Sequence, residues 1–193
     1  MNSDQVLELF RAAGALLDGH FRLSSGLHSQ GYLQCAQVLQ HPTHAQALGE
    51  TIAAQARGQR PATVLSPALG GIVIGHEVAR GLEIRGIFAE RVADSLALRR
   101  GFTFAQGERV LVIEDIVTTG KSTRETIDVA RQAGAEVVGA AAIIDRSAGV
   151  EFDVPWFALA RLALPTYDPA QCPLCESGTP IVKPGSRPSP IAR

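Results

Sequence analysis

From about residue 62 onward the chain alternates short apolar runs with segments of helix length, and no other feature limits its fold as tightly. Residues 63–66, 86–90, 109–114 and 137–145 are largely apolar at consecutive positions, the pattern of strands buried on both faces. Segments 71–82 and 121–133 carry helical spacing. Strand, helix and strand in succession build a central parallel sheet flanked by helices, an α/β fold. Ligands of such sheets bind beyond the carboxyl ends of the strands, so the residues that follow each apolar run are the functional candidates.

The rest of the chain is subordinate to that core. An amphipathic helix is expected over 3–17, capped by Ser3, with Val6, Leu9, Phe10, Ala13 and Leu17 on one side and Gly19 ending it. A second is expected over 43–57, opened by a capping box of Thr43 and Gln46. Residues 23–34 between them read as a loop or short hairpin. The proline-rich last 29 residues suggest an irregular extension lying on the body, with a mobile end after Pro184. At 193 residues the chain has the length of one domain (1–193). A formal net charge of −1 gives no broad footprint for nucleic acid or an anionic membrane, so the ligand should be small and its site local. No apolar stretch has transmembrane length and no basic, apolar leader opens the chain, which points to the cytoplasm. Cys172 and Cys175 form a lone Cys-x2-Cys. That is half of a structural zinc set, so a reduced pair packing the tail is expected and no metal ligands are assigned.

The informative segment is 109–123, RVLVIEDIVTTGKST. Its strand delivers Glu114 and Asp115 at the carboxyl end, and a loop of hydroxyls and glycine then enters a helix. The first amides of a helix are unpaired and its dipole favours anions, so a phosphate monoester fits the turn formed by Thr118, Thr119, Gly120, Lys121 and Ser122. Each hydrogen bond to such a charged group contributes about 1.5–3 kcal/mol. The two carboxylates would repel a phosphate directly, but suit the 2- and 3-hydroxyls of a ribose. A Walker A loop is excluded, since Asp115 stands where its first glycine would be.

This segment closely resembles the 5-phosphoribosyl-1-pyrophosphate signature of the type I phosphoribosyltransferases. The resemblance implies that Glu114 and Asp115 hold the ribose, with Asp115 catalytic, and that residues 118–122 bind the 5-phosphate. It implies the family fold, with a hood built from 1–40 and 151–193 over a core of 41–150. The turn Ser66–Gly71, through Ala68, Leu69 and Gly70, ends a strand and begins a helix, and the family uses it for pyrophosphate. Three further segments resemble orotate phosphoribosyltransferases in particular. In Phe21–Gly26 with His28, Ser29 and Tyr32, backbone groups of Ser24, Ser25 and Gly26 would pair with the pyrimidine edge, Tyr32 would lie near the ring, and Thr118 would border the base. In Ala142–Arg146 the guanidinium fork of Arg146 would take the carboxylate that distinguishes orotate from uracil. The ending from Tyr167 to Arg187 is similar to the tail of one bacterial branch of the family.

The family's lysine-bearing loop should fall at 90–102, yet no cation lies between Arg91 and Arg99. Arg91, assigned as catalytic, and Arg99 with Arg100 are left to meet the pyrophosphate. The implied reaction joins orotate to the donor sugar with Mg²⁺ on the phosphates, giving orotidine 5-monophosphate in a homodimer with shared sites. Transfer to another base, or a regulator that binds the donor without turnover, remain the alternatives.

Overall fold

The computed structural model describes residues 1–23 and 25–184. Its elements are, in order, α1 (Ser3–Ala12), β1 (Leu16–Arg22), β2 (His28–Leu33), α2 (Cys35–Leu39), α3 (Pro42–Ala56), β3 (Thr63–Pro67), α4 (Gly70–Leu82), β4 (Arg85–Val92) and β5 (Ser95–Leu98). These are followed by β6 (Arg109–Val117), α5 (Lys121–Gln132), β7 (Glu136–Asp145), β8 (Trp156–Arg161), β9 (Thr166–Tyr167), α6 (Pro173–Glu176) and β10 (Ile181–Val182).

The expected apolar runs assemble into one sheet, ordered β5-β4-β3-β6-β7-β8 and parallel except where β5 turns back along β4. Alternation along β6 shows why it is apolar throughout. Leu111 and Ile113 point into the core beneath α1, α3 and α4, whereas Val110 and Val112 point into a second core that includes Ile127 and Ala130 of α5. All four are fully buried, and truncating such a side chain to alanine typically costs about 2–5 kcal/mol. Glycine allows α3 and α4 to pack closely, since a Cβ on Gly49 would lie 2.8 Å from the Glu77 main-chain carbon. The strand order reverses between β3 and β6, so the crevice beyond their carboxyl ends is the expected ligand position.

Several local expectations change. The first helix stops at Ala12 rather than at 17, because Gly14 takes a left-handed φ of +63° and turns the chain into β1. Leu17, read as part of a helix face, is an exposed strand residue, and Gly19 lies inside β1. Asn2 caps α1, in a reciprocal box with Gln5, in place of Ser3. For α3, Pro42 occupies the first turn after His41 and no side chain caps the end, so the Thr43–Gln46 box does not form.

The segment 23–34 is resolved into the turn and second strand of a β1–β2 hairpin, which forms a small sheet ordered β10-β1-β2-β9. This sheet and α6 make the hood. Not every described segment of 1–40 and 151–193 joins this small sheet. Val6 and Phe10 of α1 are buried in the main core, and β8 is an edge strand of the large sheet. The expected flexible loop at 90–102 begins as the β4–β5 hairpin, ordered by a ladder from Ala89–Leu98 to Val92–Ser95. Ser24 and the stretch 185–193, which includes the tail motif's Gly185, Ser186 and Arg187, lie outside the described residues.

Candidate active site

Strand register brings the candidates to one edge. Glu114 pairs with Ala142 and Val117 with Asp145, and the Arg146 amide donates to the Val117 carbonyl at 2.8 Å. The β6 carboxylates, the 118–122 loop and Arg146 are thus neighbours. From β3, the turn at Ala68, Leu69 and Gly70 reaches the same edge, and a Cβ on Gly70 would lie 2.8 Å from Asp115 Oδ2. Only a residue without a side chain leaves that carboxylate undisturbed.

The loop after β6 forms a cradle of about 30 Å³ lined by Glu114 and residues 116–123. Gly120 takes φ +74° at the start of α5, and a Cβ there would lie 2.8 Å from Val150 Cγ2 and 3.0 Å from Phe152 Cε1. Arg124 fastens the cradle from behind, donating to the carbonyls of Thr119 at 2.9 Å and Glu151 at 3.2 Å. The hydroxyls of Thr118 and Thr119 belong to exposed residues, open to an incoming anion.

Glu114 is only 6% exposed, and burial together with the adjacent Asp115 charge pushes its carboxyl up to about 9. Burial also raises Asp115, but the Ile116 amide donates to its Oδ1 at 2.9 Å and favours the ionised form. The pair therefore shares one proton, and can both donate to and accept from vicinal hydroxyls. Beneath it, the Cys35 thiol donates to the Asp115 carbonyl at 3.8 Å, and burial holds its pKa well above the usual value, leaving an inert thiol. A stability prediction follows from Glu114. An unfolded chain releases this proton near pH 4.5 and the folded protein near 9, so the folded state binds more protons between those values. Stability from this group is complete below the window, declines as pH rises through it and is gone above it. Glu114→Gln should flatten the fall of Tm across this range in calorimetry; an unchanged slope would show that another group governs it.

The cradle opens through Thr118 and Thr119 onto a cavity of about 810 Å³, also lined by Ser25, Tyr32, Arg146 and Ser147. Arg146 is half-buried, its Nε has no hydrogen-bond partner, and it enters no ion pair among the described residues. Its neighbour Asp145 is already held by the Ser147 amide at 2.8 Å and hydroxyl at 2.6 Å, and by Arg161 at 3.5 Å. Among the described residues Arg146 is thus an unpaired cation, and it lines the cavity. The Gly26 amide donates to the Leu23 carbonyl at 3.0 Å within the turn, and Gly26 does not line the cavity. Leu23, Leu27, Leu164, Pro165, Thr166 and Pro184 do line it. Sequence reasoning gave these residues no role, and the apolar ones among them lie in irregular segments that carry no periodicity.

The loop arginines stand apart. Arg91 pairs with Glu125 at 2.7 Å and donates to the Asp94 carbonyl at 2.9 Å, while Arg100 makes a two-pronged pair with Glu90 at 2.8 and 3.0 Å. Neither these nor Arg99 line the cradle or the large cavity.

Known proteins share this sequence pattern and fold. A family model described as phosphoribosyl transferase domain matches residues 34–158, the span that runs from α2 into β8 and holds the carboxylate pair, the cradle and Arg146. Fold and site therefore define a type I phosphoribosyltransferase. An orotate phosphoribosyltransferase of Heliobacterium modesticaldum is 52% identical over 190 residues, covering 97% of this chain and all of that protein. One from Desulforamulus reducens is 48% identical over 188 residues, 97% of this chain and 98% of its own. The chain belongs to the orotate phosphoribosyltransferase family. Among solved structures, orotate phosphoribosyltransferase from Aeropyrum pernix superposes with a TM-score of 0.65 at 28% identity, covering 81% of this chain and 93% of that one. The Mycobacterium tuberculosis enzyme in complex with inorganic phosphate shares the fold, with a TM-score of 0.69 at 21% identity over 82% and 94%.

Proposed function

We propose that the protein transfers the phosphoribosyl group of 5-phosphoribosyl-1-pyrophosphate to orotate, yielding orotidine 5-monophosphate and pyrophosphate. The observation that carries this reading is the unpaired Arg146 on the same cavity as Thr118 and Thr119 of the anion cradle. An anionic base and a sugar 5-phosphate are thereby set at the two ends of one space. The cradle holds the phosphate, Asp115 and Glu114 take the ribose hydroxyls, and the Asp115 carboxylate favours positive charge developing on the ring as pyrophosphate departs. Fixed positions and fixed charges supply most of the rate.

Mg²⁺ fits this donor set. Among the described residues no cluster of three or more acidic, histidine or cysteine ligands surrounds Asp115. One or two carboxylates suffice for a cation carried mainly by phosphate oxygens and water. When bound, it would neutralise the leaving pyrophosphate. A homodimer with shared sites is the assembly we infer, with Leu69, Val73 and Val92 as exposed apolar residues around the β3 and β4 ends available to a second copy. Among the described residues no helix is long and apolar enough to cross a membrane.

One observation favours the binding-only alternative, namely that Arg91 and Arg100 are both engaged by carboxylates. In our reading at least one of Arg91, Arg99 and Arg100 is freed when the site closes and meets the pyrophosphate. Steady-state kinetics with the donor, Mg²⁺ and a panel of orotate, uracil and purine bases tests the activity. Turnover with orotate alone is expected; tight donor binding without turnover of any base would favour a regulator. Within the active protein, alanine at the responsible arginine should lower kcat by about tenfold or more, the loss of one charge-assisted contact of about 1.5–3 kcal/mol. Normal kcat and kcat/KM in all three single variants would remove the arginines from the mechanism.

A further inference from the structure

Four side chains that this reaction does not use converge inside the hood. His20 of β1, His28 of β2, and Cys172 and Cys175 of the tail bring their nitrogen and sulfur atoms within 4.8 Å of one another. His20 Nε2 lies 2.9 Å from His28 Nδ1, 3.5 Å from Cys172 Sγ and 3.8 Å from Cys175 Sγ, and Cys175 Sγ lies 3.3 Å from His28 Nδ1. A tetrahedron built on ordinary Zn–N and Zn–S bonds has edges of about 3.3 Å between nitrogens, about 3.6 Å between nitrogen and sulfur and about 3.8 Å between sulfurs. Three of the four nitrogen–sulfur edges match within about 0.3 Å, the nitrogen pair is short by about 0.4 Å, which a small ring rotation opens, and the remaining two edges lie within the 4.8 Å that spans the whole cluster.

The surroundings suit a metal as well as the distances do. His20 Nδ1 lies 2.8 Å from the Thr179 carbonyl, an acceptor, so that nitrogen carries the proton and Nε2 turns a lone pair toward the other three groups. His20, His28 and Cys172 are buried, at 2%, 7% and 1% exposure, while the exposed Cys175 gives an ion its way in. The Cys-x2-Cys pair, which lacks partners in the sequence around it, finds them 144 or more positions away in the hairpin.

We propose that these four residues form a structural Zn²⁺ site. Two thiolates and two imidazoles in a tetrahedral set select zinc among available divalent ions, and four protein ligands leave no open position for catalysis. Its role follows from where the ligands stand. His20 and His28 flank the turn that contributes Leu23, Ser25 and Leu27 to the large cavity, and the tail contributes Leu164, Thr166 and Pro184. Among the described residues, strand pairing between the tail and that hairpin is confined to the two-residue strands β9 and β10. The ion ties both walls together.

The test uses the reduced, full-length protein, purified without chelator or a polyhistidine tag. Elemental analysis should find about one zinc per chain. Metal-stripped protein titrated with Co²⁺ should develop the visible bands of a tetrahedral ion and a near-ultraviolet thiolate charge-transfer band. His20→Ala and Cys175→Ser should each abolish stoichiometric binding, and a chelator should lower the Tm of the unmodified protein. Absence of zinc together with no tetrahedral Co²⁺ spectrum would overturn the proposal, as would full metal retention in His20→Ala or a Cys172–Cys175 disulfide in protein prepared this way. Because the readouts are metal content and spectra, they stand or fall independently of turnover with orotate.

Discussion

Arg146→Ala should lower kcat/KM for orotate by about a hundredfold or more while leaving donor affinity intact. Burial lowers the pKa of Arg146, yet a guanidinium remains charged at neutral pH, and its Nε has no partner among the described residues. In the proposed reaction an orotate carboxylate would complete the pair in a partly desolvated cavity. Removing one partner of such a pair costs about 3 kcal/mol or more, because the other is left buried and unmatched. Arg146→Lys keeps the charge but loses the fork, so it should recover only part of the loss. Steady-state kinetics with orotate and uracil, beside calorimetric titration with the donor, would check this. Equal efficiency with both bases in the unmodified protein would end the assignment of Arg146 as the carboxylate contact.

Gly120→Val should weaken the binding of every 5-phosphorylated ligand by about a hundredfold, the equivalent of losing one or two charge-assisted hydrogen bonds. The residue is forced by two independent constraints, a φ of +74° and the approach of Val150, Phe152 and Arg124 to the place where a Cβ would stand. Valine would shift the loop so that its amides no longer wrap the anion. Gly107→Val separates this from ordinary strain. Gly107 has nearly the same φ, +72°, but no atom within 4 Å of an added Cβ, and it does not line the cradle. Both variants should lose stability, by about 1–3 kcal/mol from backbone strain. Only Gly120→Val should lose affinity for ribose 5-phosphate. Equal affinity in the two variants would mean that the phosphate binds elsewhere.

Where local chemistry was decisive, the sequence was legible. The strand from 109, its two acids and the loop into α5 lie within fifteen consecutive residues, so their proximity follows from chain connectivity. The parallel sheet is legible for a related reason, since strands buried on both faces must be apolar throughout. Boundaries near the N-terminus were not. Leu16 and Leu17 continue the apolar spacing of α1, and only the left-handed Gly14 and the pairing of Leu16 with Leu33 show that they belong to a strand. Pairing energy from a distant partner overrode local periodicity.

What the sequence determined by itself was thus the α/β core, the loop of hydroxyls and glycine that enters α5, and the presence of an arginine at each of several strand ends. The tertiary structure decided which groups remain available. Arg91 and Arg100 looked as free as Arg146 along the chain, but folding places Glu125 and Glu90 against them and leaves Arg146, on the cavity, without an ion pair among the described residues. It also made a four-ligand cluster from two pairs, one in the β1–β2 hairpin and one in the tail, neither of which is informative alone. Availability and coordination are properties of groups distant in sequence, and only the closing of the chain on itself brings those groups within hydrogen-bonding or coordination distance.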